Sequence, residues 1–326
     1  MKSIVAIQLK RIGDLILTLP ALEALRKAYP AARISLVIDG DTAGLAPAIR
    51  CVDEVLVYKK NALNLRTFSA LIFARHDAAL DFTGTDRSAL LTLLTQATRR
   101  VAFQWAEKNA FRSRSYTRFI DSPVRDQHTV DHYLDLLAGV DVAPAPAELH
   151  LDLPDSARSH VLDSSYIVIH AGAARAEKYW QPERWAAVID YCQNEMKLPC
   201  VLIGGRSEME QQAIREIREK TESSFIDMSG KLSLLESAAL IADAQLFIGI
   251  DSGPSHLAAA AQTPQITLFG STNPFHWRAR HAKSIVLQGG KPNPLTIFDS
   301  HSTPGDLNAL STQEVIHAIN LLLPIP

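Results

Sequence analysis

A short polar turn between an apolar segment and an alanine-rich segment has the residue types of a phosphate-binding loop. The apolar residues 246–250 lead directly into Asp251-Ser252-Gly253-Pro254, and the alanine-rich residues 255–260 follow. Pro254 suits the first turn of a helix, and Ser252 or Asp251 can cap that helix. Gly253 lets a ligand approach the backbone, and a helix N-terminus presents free N–H groups and a positive dipole end, which favour phosphate. The alternative is an ordinary capped strand-to-helix turn.

Three further polar loops follow predicted strands, over residues 10–14, 171–178 and 204–207. The two loops in the second half contain glycines, a serine and Lys178, and predicted helices follow them. These are the parts of a diphosphate site. The loop in the first half offers one carboxylate, Asp14, beside Gly13. A phosphate site in one half of the chain and a carboxylate in the other suggest group transfer across a cleft.

Predicted strands alternate with predicted helices in both halves of the chain. The segments predicted as strands are residues 3–9, 34–38, 52–58, 78–82, 100–103, 166–170, 199–203, 225–228, 246–250, 265–269 and 284–287. The first helix is predicted over residues 15–29, with a kink or a later start because Pro20 interrupts it. Such alternation implies parallel βαβ units with right-handed crossovers. We therefore predict two doubly wound α/β domains that face a cleft, with ligands at the carboxyl ends of the strands.

The boundary between the two domains is predicted from proline content. Residues 140–154 contain Pro144, Pro146 and Pro154 and show little helical periodicity, so we interpret them as a linker. The predicted domains are residues 1–153 and 154–311, followed by an amphipathic C-terminal helix and tail over residues 312–326.

Composition excludes several classes of protein. The formal net charge of −2 over 326 residues gives no overall attraction for nucleic acid, so we expect no nucleic-acid partner. Three scattered cysteines, Cys51, Cys192 and Cys200, favour a reducing cytoplasm and argue against a disulfide framework or a structural zinc site. No apolar run approaches the ~20 residues that span a bilayer, and the N-terminus does not resemble a signal peptide. We expect a cytoplasmic protein.

The most basic segment lies between residues 99 and 125. It contains seven Lys or Arg residues against two acids, with Trp105, Phe111, Tyr116 and Phe119 interleaved. Arginine binds phosphate and carboxylate groups through bidentate hydrogen bonds, so this segment suits an anionic acceptor or an anionic membrane surface. The alternative is a solvated charged face or a flexible loop.

Three motifs resemble those of the lipopolysaccharide heptosyltransferases, glycosyltransferase family 9. The N-terminal motif is Arg11-Ile12-Gly13-Asp14-Leu15 followed by Thr18-Leu19-Pro20-Ala21-Leu22. The second is His170-Ala171-Gly172-Ala173-Ala174, leading to Lys178-Tyr179-Trp180. The third is Asp251-Ser252-Gly253-Pro254-Ser255-His256-Leu257-Ala258-Ala259 with Thr263-Pro264 and Leu268-Phe269-Gly270-Ser271-Thr272-Asn273-Pro274. The motifs keep the order and spacing of the family over nearly the whole chain. The resemblance implies a GT-B fold, with the donor bound by the C-terminal domain and the acceptor by the N-terminal domain.

The resemblance implies catalytic roles for two residues. Asp14 is expected to be the general base that takes the proton of the acceptor hydroxyl in an inverting transfer. The alternative is that Asp14 only caps the first helix. Lys178 is expected to pair with the donor diphosphate and to stabilise the charge of the leaving nucleotide. The alternative for Lys178 is a surface lysine near a helix start.

The remaining predicted donor contacts lie in the C-terminal domain. Through the resemblance they are Gly172, Ala173, Ala174, Asp227, Asp251, Ser252, Gly253 and His256. Because the two alanines offer only backbone N–H groups, the resemblance leaves the individual phosphate contacts open. Asp227 either binds the nucleoside or is a solvated loop acid. Asp251 is expected to bind sugar hydroxyls or to hold its loop, and His256 to donate to a phosphate or to pack within its helix.

The predicted acceptor contacts are cationic, in accordance with an acceptor such as Kdo-lipid A or its heptosylated form. They are Lys10, Arg11, Arg112, Arg114 and Arg118. The sequence Asp39-Gly40-Asp41 matches a metal-binding pattern of another glycosyltransferase class, but it lies in the wrong domain. We therefore expect metal-independent transfer without a cofactor.

These expectations combine into one leading hypothesis. The chain is expected to be an inverting heptosyltransferase that moves heptose from ADP-heptose to the inner core of lipopolysaccharide, associated peripherally with the cytoplasmic face of the inner membrane. One alternative is a transferase of the same fold with a different donor or acceptor sugar. The other is a two-lobed nucleotide-sugar-binding protein without catalytic activity.

Overall fold

The chain forms two compact units, Met1–Asp152 and Leu153–Pro326. A computed structural model describes residues 1–144, 149–173 and 175–324. Part of the predicted linker, including Pro146, and the predicted donor contact Ala174 lie outside the described residues.

The first unit is built on a parallel six-stranded sheet. Its strands are β1 (Ser3–Gln8), β2 (Arg33–Asp39), β3 (Glu54–Tyr58), β4 (Ala78–Asp81), β5 (Arg99–Phe103) and β6 (Arg118–Ile120). They pair in the order β3-β2-β1-β4-β5-β6. The central strands consist almost entirely of buried residues, as expected for a parallel sheet covered on both faces. Strand β6, inside the basic segment, was not predicted, because its three residues are too few to show a pattern.

Helices within residues 1–144 flank these strands. They are α1 (Ile12–Ala28), α2 (Leu65–Phe73), α3 (Asp86–Leu94), α4 (Ala110–Ser115) and α5 (Thr129–Asp135). Helix α1 packs against α5, and α2 packs against α3. Leu71 of α2 and Leu91 of α3 share a buried cluster with Val5 and Ile7 of β1, so these two helices cover one face of the sheet.

The prediction for the start of α1 was wrong. The helix begins at Ile12 rather than Leu15, so Asp14 lies in its first turn and not in the preceding loop. It also runs past Pro20 as one element, although a proline inside a helix costs about 3 kcal/mol. Leu15, Leu19 and Leu22 are buried, and each contributes about 1.5–3 kcal/mol on burial, which outweighs the cost of the proline.

The second unit repeats the architecture of the first. Its strands are β7 (Ile167–His170), β8 (Cys200–Leu202), β9 (Ile226–Asp227), β10 (Leu246–Ile250), β11 (Gln265–Phe269) and β12 (Ser284–Gln288). They are parallel and pair in the order β12-β11-β10-β7-β8-β9. Numbered within each unit, both sheets have the same strand order. The predicted doubly wound α/β architecture is confirmed.

Helices within the described part of the second unit flank its strands. They are α6 (Pro182–Asn194), α7 (Glu208–Lys220), α8 (Leu234–Ala242), α9 (Gly253–Ala260), α10 (Pro274–Trp277) and α11 (Thr312–Leu322). Helix α11 packs against α6, and its residues Val315 and Ile319 belong to the same buried cluster as Trp185. The C-terminal helix is therefore part of the core of the second unit.

Two further features concern the whole of the described chain. The three cysteines are free and buried, and burial raises the pKa of the Cys51 thiol to about 12. Among the described helices, none is both long and apolar enough to cross a bilayer.

Glu210, in the first turn of α7, fixes the loops that follow β7 and β8. Its carboxylate accepts a hydrogen bond of 2.8 Å from the hydroxyl of Ser207 and lies 3.7 Å from Nε2 of His170. A Cβ atom at Gly172 or Gly205 would lie 2.7 or 2.5 Å from the carboxylate oxygens, so a larger residue at either position would displace the Glu210 side chain. The interaction with His170 lowers the pKa of Glu210 to about 2, against the opposing effect of burial.

We expect Glu210→Gln to destabilise the second unit in a pH-dependent way. Because the carboxyl pKa falls from 4.5 in the unfolded chain to about 2 in the folded chain, ionised Glu210 stabilises the fold above pH 4.5. That contribution, on the order of 3 kcal/mol, is lost as the pH falls towards 2. Urea unfolding at a series of pH values, followed by tryptophan fluorescence, measures the difference.

Glu208→Gln is the matched control, since this side chain lies on the same helical turn and is 84% exposed. It should change the free energy of unfolding little at any pH. Equal stability of Glu210→Gln and the unsubstituted chain at neutral pH would contradict the assignment.

Candidate functional site

Asp14 lies at the carboxyl end of β1, in the first turn of α1. The residue before the helix is Arg11, which makes no side-chain cap, so Asp14 is not the N-cap and the capping alternative is wrong. Its Oδ1 accepts a hydrogen bond of 2.7 Å from the hydroxyl of Tyr133 on α5. Burial, and then the charge of Asp14, raise the pKa of Tyr133 well above its usual value. The phenol therefore keeps its proton and acts as a donor.

Lys10 lies beside the same pair. Its Nζ is 3.4 Å from the Tyr133 hydroxyl and 5.4 Å from the centroid of the tyrosine ring. Burial lowers the pKa of Lys10, although the carboxylates of Asp14 and Asp81 oppose the shift. Arg11 is exposed at the start of the helix. The structure thus brings together Lys10, Arg11 and Asp14, three of the predicted site residues.

A buried polar network fixes the loop that carries these residues. The side-chain amide of Gln8 donates to the hydroxyl of Thr18 at 2.8 Å, and that hydroxyl donates to the backbone carbonyl of Asp14 at 2.7 Å. The hydroxyl of Thr83, after β4, donates to Gln8 at 3.3 Å and accepts from the N–H of Leu9 at 2.7 Å. Asp14 is therefore held against the neighbouring strand ends.

A second carboxylate, Asp81, ends β4 and was not predicted. It is fully buried and accepts hydrogen bonds from the Tyr116 hydroxyl at 2.6 Å and from the N–H groups of Thr83 and Gly84. Burial raises the pKa of Asp81, and these hydrogen bonds oppose the shift. Asp81 lies inside the segment 78–82 that was predicted as a strand, and apolar Phe82 follows it, so the pattern indicated no polar loop there.

The predicted acceptor arginines do not lie together. Arg112 Nε donates to Asp86 at 2.6 Å and its Nη1 to the carbonyl of Gly84 at 3.1 Å, so Arg112 lies at the carboxyl end of β4. Arg114 is exposed on α4. Arg118 begins β6 and pairs with Asp141 at 3.4 Å, at the amino-terminal ends of the strands. The structure therefore does not bring Arg118 to the edge that carries Asp14.

In the second unit, Lys178 and Asp251 form a buried ion pair. Nζ of Lys178 donates to Oδ2 of Asp251 at 2.8 Å and to its backbone carbonyl at 2.9 Å. The hydroxyl of Thr272 donates to the same Oδ2 at 2.7 Å. Because the Lys178 side chain is only 16% exposed, the alternative of a surface lysine is wrong. Asp251 holds its loop, which was one of its two predicted roles.

Ser252 and Gly253 lie between β10 and the body of α9. The Ser252 hydroxyl is 3.1 Å from Nδ1 of His170, at the end of β7, and donates to the carbonyl of Ile250 at 3.0 Å. Helix α9 starts at Gly253, and His256 is buried within it. His170 thus contacts Glu210 on one side and Ser252 of the predicted donor loop on the other.

The other predicted donor contacts follow neighbouring strands of the same sheet. Gly172 and Ala173 are buried just after β7, and the carbonyl of Ala173 accepts a hydrogen bond of 2.9 Å from Tyr179. Asp227 ends β9 and accepts from the hydroxyl of Ser229 at 2.6 Å and from Arg218 at 3.1 Å. Asp227 is thus a partly buried, hydrogen-bonded residue and not a solvated loop acid.

The Asp39-Gly40-Asp41 sequence has a local structural role. Oδ1 of Asp39 accepts a hydrogen bond of 3.0 Å from the N–H of Asp41 and so caps the 3₁₀ turn Gly40–Ala48. In the described parts of the chain, His, Cys, Asp and Glu side chains form no group of three or more placed to hold a metal ion.

Sequence reasoning missed four residues of these two sites: Tyr133, Asp81, Glu210 and Thr272. Thr272 lies within the third family motif, which gave a signal for it. Tyr133 lies among the buried positions of α5, where its side chain cannot be told apart from a core residue by periodicity.

Comparison with known proteins identifies the family. The sequence profile of glycosyltransferase family 9 (heptosyltransferase) matches residues 65–299. Lipopolysaccharide heptosyltransferase 3 of Escherichia coli is 27% identical over 331 residues, covering 96% of this chain and 96% of that protein. Lipopolysaccharide heptosyltransferase 1 of Salmonella typhimurium is 25% identical over 290 residues, covering 83% of this chain and 89% of that protein.

Solved structures show the same fold. The glycosyl transferase family 9 protein of Veillonella parvula matches with a TM-score of 0.83 and 27% identity, over 99% of this chain and 97% of that chain. The heptosyltransferase WaaC of E. coli with ADP matches with a TM-score of 0.79 and 21% identity, over 98% and 99%. The predicted GT-B class is confirmed. Since the family profile covers residues 65–299 of 326, the chain belongs to glycosyltransferase family 9, the heptosyltransferase family, and is a glycosyltransferase.

Proposed function

We propose that this enzyme transfers heptose from ADP-heptose to a core acceptor of lipopolysaccharide, by inverting displacement with Asp14 as the general base. The observation that carries the proposal is the Asp14 carboxylate at the carboxyl end of β1, held by Tyr133. The relatives named lipopolysaccharide heptosyltransferase support the acceptor class. A structural neighbour solved with ADP-2-deoxy-2-fluoro heptose supports the donor.

Tyr133 leaves one oxygen of the base available for the proton. In the proposed step the acceptor hydroxyl oxygen attacks the anomeric carbon, the bond from that carbon to the diphosphate oxygen breaks, and ADP leaves. The hydroxyl proton passes to Asp14. Since the phenol of Tyr133 donates to Oδ1, Oδ2 keeps its lone pairs for this proton.

Lys178 is suited to the leaving diphosphate by its remaining hydrogen-bonding capacity. An ammonium group has three N–H donors, and Asp251 accepts two of them. The third can donate to a phosphate oxygen, while the N-terminus of α9 supplies further N–H groups. These positive groups are proposed to stabilise the developing charge in place of a metal ion.

The acceptor contacts proposed here are fewer than the sequence predicted. Lys10 and Arg11 lie beside Asp14, and Arg112 lies at the carboxyl end of β4, so these three can bind anionic groups of the acceptor. Exposed Arg114 adds positive charge on α4, the helix that also carries Arg112. Arg118 is left out because its guanidinium pairs with Asp141 at the opposite ends of the strands.

We expect Asp14→Asn to keep the fold and to lower kcat by about 10²–10⁴-fold, the usual contribution of a general base. The amide cannot take the hydroxyl proton. Steady-state release of ADP and mass spectrometry of the product measure the loss. Asp41→Asn, which removes an exposed carboxylate from the first turn of the 3₁₀ helix Gly40–Ala48 in the same unit, is the control. Full turnover by Asp14→Asn would refute the base, and ADP-heptose binding without turnover by the unsubstituted chain would refute catalysis.

Tyr133→Phe should lower kcat by about 10-fold, because a hydrogen bond to a charged group contributes about 1.5 kcal/mol and each 1.4 kcal/mol changes a rate tenfold. Tyr116→Phe is a matched control, since it removes the corresponding hydrogen bond to the buried Asp81 and leaves Asp14 unchanged. This second variant should lose stability in thermal unfolding and keep more of its kcat. Equal kcat losses in the two variants would contradict a specific role for Tyr133.

We expect transfer to proceed at its full rate in the presence of EDTA. Lys178 and the N-terminus of α9 supply the positive charge that a metal ion would otherwise supply. The rate of ADP release is compared before and after chelation, and again after Mg²⁺ is added back. Loss of activity in EDTA with recovery on Mg²⁺ addition would overturn metal independence.

A further inference from the structure

Helix α2 exposes large apolar side chains along its outer face. Leu65 is 71% exposed and Phe73 is 82% exposed, and Ile72 lies between them on the same face. Leu63, two residues before the helix, is 78% exposed. Within the helix, Leu65, Ile72 and Phe73 have the i, i+7, i+8 spacing of one helical stripe, so their side chains form one apolar ridge, which Leu63 precedes in the chain.

The ridge is additional to the core-facing side of the helix. Thr67 and Leu71 are buried, and Phe68 packs against the cluster between α2 and the sheet. A surface helix with one buried side normally carries charged and polar residues on the other side. Here the outer side carries Leu65, Ile72 and Phe73 instead. Such exposed apolar side chains indicate a binding surface.

Basic residues flank the ridge along the chain. Lys59 and Lys60 precede it, Arg66 lies within the helix, and Arg75 follows it. Between Glu54 and Asp77 the sequence contains no acidic residue. We define the α2 face as the four apolar residues Leu63, Leu65, Ile72 and Phe73 with the four cations Lys59, Lys60, Arg66 and Arg75.

The neighbouring helix α3 also exposes apolar side chains. Helix α3 packs against α2, and its residues Leu90 and Leu93 are 44% and 39% exposed. Arg87, in the first turn of α3, lies over the ring of Tyr58 at the end of β3. The exposed apolar area with basic residues around it therefore covers two adjacent helices.

We propose that the α2 face docks on an anionic lipid bilayer. Apolar side chains of an interfacial helix enter the boundary between headgroups and acyl chains, while basic side chains bind anionic headgroups. A second copy of the chain is a poorer occupant, because a two-fold interface would bring the four cations of one α2 face against those of the other. This inference concerns binding to the membrane and does not depend on the proposed chemistry.

The basic segment of residues 99–125, from which membrane attraction was first expected, is less suited to this task. Arg99 and Arg118 both pair with Asp141, and Arg112 pairs with Asp86. In the α2 face, the ion pair that the structure shows is Arg66 with Glu54. The loop before α2 follows β3 at its carboxyl end, the edge of the sheet that also carries Asp14.

Sedimentation of the full chain with lipid vesicles tests the proposal. Vesicles of phosphatidylcholine are compared with vesicles in which part of this lipid is replaced by phosphatidylglycerol. The unsubstituted chain should bind the anionic vesicles, and raised salt should weaken the binding. The double variant Leu65→Ser with Phe73→Ser should bind at least about tenfold more weakly, since it removes two of the inserted apolar groups.

Ile297→Ser is the matched control, since this side chain is also 82% exposed but belongs to the second unit. It should bind vesicles as the unsubstituted chain does. A soluble, deacylated acceptor separates docking from chemistry: the double variant should retain its transfer rate on it. The vesicle experiment therefore tests membrane docking whether or not the proposed reaction is correct.

Four results would overturn the proposal. The double variant could bind anionic vesicles as tightly as the unsubstituted chain. Binding could be equal for vesicles with and without phosphatidylglycerol. Analytical ultracentrifugation could show a dimer that the double variant converts to a monomer, which would make a second copy the occupant. The charge-reversal variant Lys59→Glu with Lys60→Glu should lose the preference for anionic vesicles, and retention of it would count equally against the proposal.

Discussion

A doubly wound parallel sheet ends all its strands at one edge, and this constraint determines where both candidate sites lie. At that edge the connections leave in opposite directions from two adjacent strands, which opens a crevice between their loops. In the first unit these strands are β1 and β4, followed by Asp14 and Thr83. In the second they are β7 and β10, followed by Gly172 and Asp251. The strand order that the two sheets share places both groups of loops at equivalent edges, although the loop sequences differ.

The carboxylates at the two edges accept hydrogen bonds from different kinds of donor, and this difference separates their proposed roles. Asp14 and Asp81 are held by the phenols of Tyr133 and Tyr116, which are neutral donors, so the carboxylates are not neutralised by them. Asp251 is held by the ammonium group of Lys178, which cancels its charge. A base requires a carboxylate oxygen with an open lone pair, whereas a diphosphate requires that nearby negative charge be compensated. Each arrangement suits the role proposed for its unit.

The strands and the loops at their ends could be predicted, because buried parallel strands are continuous apolar runs that stop at polar residues. The start of α1 could not be predicted. Gly13 and Pro20 indicate a later helix start, but the burial of Leu15, Leu19 and Leu22 outweighs these local signals. The donors to the carboxylates were also missed. Tyr133 lies 119 residues from Asp14 in the chain, and only the packing of α5 on α1 brings them together.

The repetition of one complete sheet in each unit has a consequence for how the protein melts. Each sheet takes all six of its strands from its own unit, so neither hydrogen-bonded ladder depends on residues of the other. Unfolding of the two units therefore need not be a single two-state transition. One unfolding midpoint need not describe both units. Trp180 and Trp185 lie in the core of the second unit, so their fluorescence follows the disappearance of that core. A nucleotide bound there would raise that transition by mass action.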